Sequence, residues 1–391
     1  MALPTNLGTE SIGRLLRQYA VPAIVAMTAS SLYNMIDSIF IGQGVGPLAI
    51  SGLAVTFPFM NLAAAFGALV GVGASTIVSV KLGQKDYTSA RKALGNVVAL
   101  NIIIGVAFMV ISLLFLDKIL LFFGASENTL QYAREYMEII LYGNVVTHMY
   151  LGLNAVLRSA GLPKKSMYMT IFTVIINAIL DPLFIYVFKW GIQGAAAATI
   201  ISQSMALCWT LKIFSDKNLV IHFKKGIYKL KARIVKDVIS IGMAPFFMNS
   251  AACLVTLFIN QQLRRYSGDL GIGAYGITNR LVFMFIMICM GLNQGMQPIA
   301  GYNYGARQYS RVKEVFWKTA KMATIVTTIC FLVGMFCPRI AAGIFTHDEA
   351  LLEMSAEGMR ILVIAFPIVG YQMIGTNFFQ SLGMVKKSVI L

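Results

Sequence analysis

Four side chains able to do cation chemistry stand in apolar stretches of this sequence: Asp37, Asn177, Asp181 and Thr199. They offer two carboxylates, an amide and a hydroxyl, the hard oxygen donors that a small cation prefers. Proton binding is the alternative, because carboxylates close together in a low-dielectric pocket repel one another and lose solvation. Either use can couple a cation gradient to motion. Asn177 precedes Asp181 by four residues, so a helix presents both on one face. Asp181 also precedes Pro182 and has a structural alternative, the cap of a half-helix that starts at the proline. Capping and ion binding are compatible, since Pro182 brings no backbone donor and frees a local carbonyl. For Asp37 the alternative is a buried hydrogen bond to a neighbouring helix.

The stretches that position these groups have membrane length. The chain is 58% hydrophobic and only 12% charged, with a mean hydropathy of +0.73, whereas about a quarter of a soluble domain is charged. Ten apolar runs occur at roughly 15–41, 50–80, 93–116, 134–157, 166–188, 192–214, 237–261, 272–302, 316–337 and 352–382. Runs of this length cross a hydrocarbon layer of ~30 Å at 1.5 Å per residue. Strand-like alternation is missing, so the fold class is an all-α polytopic membrane protein. Asp37 lies seven residues before Gly44, Asp181 eight before Lys189 and Thr199 seven after Ile192. Each therefore sits about 10 to 12 Å below one membrane surface, on three different helices. Among sixteen acidic residues, Asp37 and Asp181 alone lie well inside a span, where a charge costs about 2.5 to 3.5 kcal/mol.

Basic residues set the orientation. With the N-terminus in the cytoplasm, Lys81, Lys85, Arg91, Lys92, Arg158, Lys164, Lys165, the 212–236 loop, Arg307, Arg311, Lys313, Lys318, Lys386 and Lys387 all face that side. This positive-inside bias accounts for the net charge of +16 without a nucleic-acid partner. The N-terminus lacks a small-residue cleavage pattern and reads as a retained first helix. Five cysteines show neither pairing nor metal-ligand spacing and are assigned to packing. The polar stretch from Ser215 to Asp237 is either an amphipathic surface helix on anionic lipid or a solvated linker.

The chain repeats itself. LGQKDYTSARK at Leu82 to Lys92 lies over YGARQYSRVKE at Tyr304 to Glu314, an offset of 222 residues shared by Gly73 and Gly295, Phe123 and Phe345, Gly161 and Gly383, and Lys164 and Lys386. Near the start the offset is 223, taking Pro22 to Pro245 and Asp37 to Asn260. An even number of spans precedes the second copy, so the copies run in the same sense, as two pseudo-symmetric lobes facing a central cleft. The expected organisation is an N-lobe over 1–214, a cytoplasmic basic linker over 215–236 and a C-lobe over 237–391. The first copy runs on to about Ile213 whereas the second stops soon after Lys387, so a six-plus-six arrangement with about 45 residues beyond Leu391 is expected.

With these residues in view the sequence resembles the multidrug and toxic compound extrusion (MATE) transporters, in particular the bacterial branch with the damage-inducible and staphylococcal-type pumps. The likeness runs from end to end, through LYNMIDSIFIG (Leu32–Gly42), LGQKDY (Leu82–Tyr87), RSAGLPKKSM (Arg158–Met167), NAILDPLFIY (Asn177–Tyr186), YGITNRL (Tyr275–Leu281) and GMQPIAGYNYGAR (Gly295–Arg307). The resemblance implies antiport: export of cationic lipophilic compounds through a cleft between two six-helix lobes, against inward sodium ions or protons. It also implies a cation site at Asp37, Asn177, Asp181 and Thr199. Where some relatives carry an acid on the eighth helix, this chain has Ile286.

Substrate-cleft candidates are Tyr33, Phe57, Tyr142, Met284, Met287 and Gln297, alongside Phe283, Phe285, Met290 and Met296; flexible thioethers suit a surface that repacks around varied ligands, and core packing is the alternative for most of them. His148 reads as an interior hydrogen-bonded histidine or a proton relay. The alternative function is a flippase for lipid-linked saccharides, which would line its cleft with arginines for pyrophosphate; intramembrane arginine is confined chiefly to Arg280 and Arg360. No enzyme constellation is present in the sequence. The expectation is a monomer in the bacterial inner membrane with lipids and cationic amphipathic substrates as partners, and no cofactor beyond the coupling ion.

Overall fold

The computed structural model describes residues 6–344 and 348–390, with the side chains of all but 34, 35, 47, 260, 264, 268, 269 and 272. Phe345 and the side chain of Asn260, both used in the repeat, lie outside the described residues. The long helices are α1 (Ile12–Gly44), α2 (Pro47–Gly83), α3 (Tyr87–Leu114), α4 (Glu127–Tyr142), α5 (Asn144–Ser159), α6 (Pro163–Pro182), α7 (Gly191–Phe214), α8 (Ala232–Gly305), α9 (Tyr309–Phe336), α10 (Glu349–Val363) and α11 (Phe366–Ser381). No β-strand occurs among the described residues. Among the described residues eight helical segments are long and apolar enough to cross a membrane, and up to ten spans result when each bent pair is one span. The chain is a multi-pass membrane protein.

Two of the ten expected spans are broken. The run at 134–157 is α4 and α5, bent by 57°, and the run at 352–382 is α10 and α11, bent by 50°. The first break falls at Gly143, and the second is followed by Pro367, which has no N–H for the carbonyl of Val363. Apolar content alone hides both. The breaks at Gly143 and Ala365 are themselves 222 residues apart.

The hydrogen-bonded helix α8 runs for 74 residues, which would be about 110 Å if straight. It folds back instead. Its first half, Ala232–Ser267, runs antiparallel to α2: Phe246 packs against Phe66 with tilted rings, centroids 4.8 Å apart, and the Cys253 thiol meets the Pro58 carbonyl. Its second half, Gly273–Gly305, runs parallel to α2, with Gln297 bonded to Ser75 and Gly301 against Ser79. These pairs are separated by the repeat distance, so α2 and the second half of α8 meet across the pseudo-twofold axis.

Turns repeat as faithfully as bends. Lys85 and Arg307 both have φ 59°, and Gly161 and Gly383 have φ 89° and 74°. At the basic-loop end, a Cβ on Gly83 would collide with the Tyr302 carbonyl oxygen and one on Gly305 with that of Val80, two contacts exchanged by the repeat. The first helices of the two copies slide relative to the sequence match: Gly73 and Gly295 touch Val238 and Ala20, while Leu69 and Gly291 touch Gly242 and Ile24, an offset of 218 rather than 223.

At this same end the cores are exchanged. Leu7, Ile12, Leu15 and Leu16 pack with Leu292, Ile299, Val315 and Ile374, whereas Val238 packs with Leu69, Val97, Leu153 and Phe214. Helix α8 begins at Ala232, and the segment before it forms no helix; most of its residues are exposed, with a few apolar side chains turned inward. Val220, Ile221 and Ile227 are buried, Arg91 donates to the Val220 carbonyl at 2.8 Å, and Asn96 accepts from the Lys231 N–H. These buried side chains lie against the N-terminal half of α3, where Ile227 meets Gly95. Just before that helix, Asp86 caps α3 through Ser89, which holds its carboxyl below the usual range.

Candidate cation site and cleft

Helix α1 supplies Asp37, α6 supplies Asn177 and Asp181, and α7 supplies Thr199; all four are buried, at 5%, 0%, 0% and 5% exposure. The structure brings these four side chains together. Asn177 Nδ2 donates to Asp181 Oδ1 at 3.2 Å and to Thr199 Oγ1 at 3.4 Å. Thr199 Oγ1 also shares a 2.8 Å hydrogen bond with the Tyr33 hydroxyl, and the Asp37 and Asp181 carboxyl groups interact directly. Tyr33 thus belongs to the wall of the cage as well as to the cleft.

Three oxygens in the cage, Asp37 Oδ1, Asn177 Oδ1 and Asp181 Oδ2, are buried without a hydrogen-bond donor. A buried acceptor left unpaired costs about 1 to 3 kcal/mol, more when it is charged. Three such acceptors from two helices are therefore an arrangement for positive charge, supplied as a small cation or as protons. No group of three His, Cys, Asp or Glu placed to hold a metal ion occurs among the described residues.

Local structure explains the placement. Pro182 ends the α-helical pattern of α6 and is followed by a π-helical turn, Leu183–Val187, the kind of irregularity that clusters at functional sites. Asp181 lies inside α6, and no side-chain cap is made for the turn that follows. The capping alternative is thereby set aside in favour of a side chain turned toward α1 and α7.

The cage opens on a cavity of about 370 Å³ whose wall includes Tyr33, Asp37, Tyr136, Thr199, Phe57 and Met287. Four residues of this wall, Ser31, Ser38, Phe57 and Phe283, also line a larger space of about 760 Å³ between α1, α2 and the second half of α8. Tyr33, Phe57 and Met287 accordingly sit where cleft candidates should. Tyr142 and Met284 do not: they are 67% and 57% exposed and line neither cavity, Tyr142 because it ends α4 at the bend. Gln297 is held by α2 instead, donating to Ser75 Oγ at 2.8 Å and Thr76 Oγ1 at 2.9 Å. His148 is fully buried on the Ala63 carbonyl at 2.8 Å, outside the cage, and Ile286 packs among Val282, Cys330 and Met359.

Tyr136 is not among the expected residues, yet it is 1% exposed beside the cage. A signal for it exists: Ala133, Tyr136, Met137, Ile140 and Leu141 form the buried stripe of α4, opposite Arg134, Glu135 and Glu138. Thr147 and Gln203, bonded to each other at 2.6 Å, add a polar edge to the same wall.

A sequence model of the MatE family matches residues 22–183 and 242–391. The chain is 26% identical over 378 residues to the multidrug export protein MepA of Staphylococcus aureus strain N315, covering 97% of this chain and 83% of that protein. It is 27% identical to MepA of Staphylococcus haemolyticus, covering 98% and 84%. Among solved structures, the MATE multidrug transporter DinF-BH in complex with rhodamine 6G superimposes with a TM-score of 0.90 at 32% identity, covering 98% of this chain and 86% of that one. An outward-facing MATE family transporter of the MOP superfamily shares the fold, with a TM-score of 0.91 at 22% identity, covering 100% and 87%.

Proposed function

The chain belongs to the MatE family, and from that premise we propose that it is a multidrug efflux transporter, an antiporter that exports cationic lipophilic compounds in exchange for sodium ions or protons. The observation that carries the reading is the cage of three unpaired buried oxygens, which reaches the adjoining cavity through Asp37 and Thr199. The export half rests on relatives named for multidrug export and on a relative solved with rhodamine 6G. The N-terminal part of the chain acts as one lobe over 1–214, the C-terminal part as the other from 237, and the 215–236 segment is their cytoplasmic tie. The protein works as a monomer in a bacterial inner membrane with its N-terminus in the cytoplasm, in keeping with the side on which its lysines and arginines gather.

On that orientation the exchanged cores and the Gly83 and Gly305 contacts close the cytoplasmic end, while the cleft beside the cage lies toward the outside. A cation entering from outside meets Asp37 first, with Asp181 behind it. Its charge satisfies the unpaired oxygens, and the rearrangement of α1 against α6 and α7 alters the wall that the exported compound touches. The lipid-linked saccharide reading is weaker, because the outer cleft carries one arginine among its lining residues rather than a set able to clamp pyrophosphate.

The test is ethidium efflux from everted vesicles under an imposed sodium gradient and, separately, a proton gradient, for the parent and for Asp181→Asn. An amide neither ionises nor takes up a proton, and coupling free energies are about 1 to 3 kcal/mol, so efflux of the variant should fall about tenfold to a hundredfold under the gradient that drives the parent. Equal pumping by both proteins would falsify the coupling role.

A further inference from the structure

The acidic cage is not the only charge in the cleft. Arg280 lies on the second half of α8, seven residues after Gly273 where that membrane-length segment starts. Counting 1.5 Å per residue places its Cα about 10 Å below the outer surface, the level estimated for Asp37, Asp181 and Thr199. A guanidinium at such a depth is costly and is retained where it has something to hold. It lines the 760 Å³ space together with Asn279, Ser31, Ser38 and Gln43 on the polar side and Phe57 and Phe283 on the apolar side. Among the described residues Arg280 makes no ion pair. The repeat does not account for it, because Pro58 occupies the equivalent position in the first copy.

We propose that Arg280, with Asn279 beside it, is an anion-binding pole of the cleft that selects amphipaths whose carboxylate sits on Arg280 while their cationic end faces Asp37. The inference deepens the export reading and rests on it. Charge complementarity carries it: the two cavities share Ser31, Ser38, Phe57 and Phe283, so one apolar body can lie against the shared wall with opposite charges at its two ends. A guanidinium presents a planar fork that matches a carboxylate with two parallel hydrogen bonds, and Asn279 offers an amide donor next to it. A molecule carrying only positive charge is repelled at this pole. Arg280 is thus a specificity residue, distinct from the coupling carboxylates.

The test uses two dyes that differ by one group, rhodamine 6G, which is a cationic ester, and its free acid, which carries a carboxylate. Fluorescence anisotropy with the purified full chain gives the ratio of their affinities for the parent, Arg280→Gln and Arg280→Lys. Removing the guanidinium should weaken the acid about tenfold while the ester binds equally well or slightly better, and lysine, which keeps charge but loses the fork, should fall between. Retained ester binding serves as the folding control. An unchanged acid-to-ester ratio in Arg280→Gln overturns the assignment of Arg280 alone. A parent that binds neither dye overturns the export reading and this one with it.

Discussion

The two copies in this chain keep the same backbone but not the same chemistry. Lys85 and Arg307 turn with identical φ, Gly161 and Gly383 both take the left-handed region, and the bends at Gly143 and Ala365 fall at one offset. Inside, the likeness ends. Tyr136 beside the cage corresponds to Gly358, Asn144 to Phe366, His148 to Gly370 and Arg158 to Gln380. Asp37 corresponds to Asn260, and Arg280 to Pro58. What duplication preserved is the geometry that lets two lobes meet about an axis; charge was then divided, carboxylates to the first copy and an arginine to the second. On the proposed antiport, only the first copy would respond to the ion, while the second supplies the opposing wall.

The sharpest way to break this comparison is to make the first copy resemble the second. Asp37→Asn installs in α1 the residue type found at 260 and leaves Asp181 without its charged neighbour. Because the amide can neither ionise nor take up a proton, the coupling free energy of about 1 to 3 kcal/mol is lost and cation-driven efflux should drop about tenfold to a hundredfold. Binding of rhodamine 6G without any gradient should change much less. If Asp37→Asn pumps normally, the cage is structural and the asymmetry between the lobes has no part in coupling.

How far the sequence reveals this arrangement depends on which force sets each part. Spans are legible because each needs about 20 apolar residues, and all ten runs form helices or bent helix pairs. The grouping of Asp37, Asn177, Asp181 and Thr199 is legible too, since carboxylates are scarce in apolar runs and residue counting puts the four at one level of three helices. Bends are not, because Gly143 inside an apolar run differs little from any other small residue. The linker is obscured for a related reason: eight lysines and arginines between 212 and 236 dominate its composition, but Val220, Ile221 and Ile227 decide where it packs. Tyr142 and Met284 show the limit from the other side, since residue type names a good contact surface while only the rotation of the helix decides whether it faces the cleft.

A second comparison concerns the axis itself, and here the copies should respond alike. Gly83 rests on the Tyr302 carbonyl and Gly305 on that of Val80, so any side chain at either position pushes backbone against backbone. Overpacking of this kind costs about 1 to 3 kcal/mol. Gly83→Val and Gly305→Val should therefore each slow efflux about tenfold, by similar factors, through loss of the cytoplasmic closure rather than of cation binding. Dye binding measured against sodium or pH should keep its dependence in both variants. A large effect from one glycine and none from the other would mean that the closure is not shared about the axis.

The smallest effect expected also tests the symmetry most finely. Lys85 and Arg307 hold non-glycine side chains in the left-handed region at equivalent turns, where crowding of Cβ against the carbonyl costs roughly 1 kcal/mol. Glycine relieves that crowding but adds freedom to the unfolded chain, so Lys85→Gly and Arg307→Gly should each stabilise the protein by less than about 1 kcal/mol. In detergent this is a rise of a few degrees at most in the unfolding midpoint, equal for the two sites and additive in the double variant, because the turns are separate. Transport should not change, since neither side chain lines the cleft. Unequal shifts would show that one turn is held by its surroundings, whereas equal shifts would mean that both copies keep the turn because the crossing of α2 over α8 demands it.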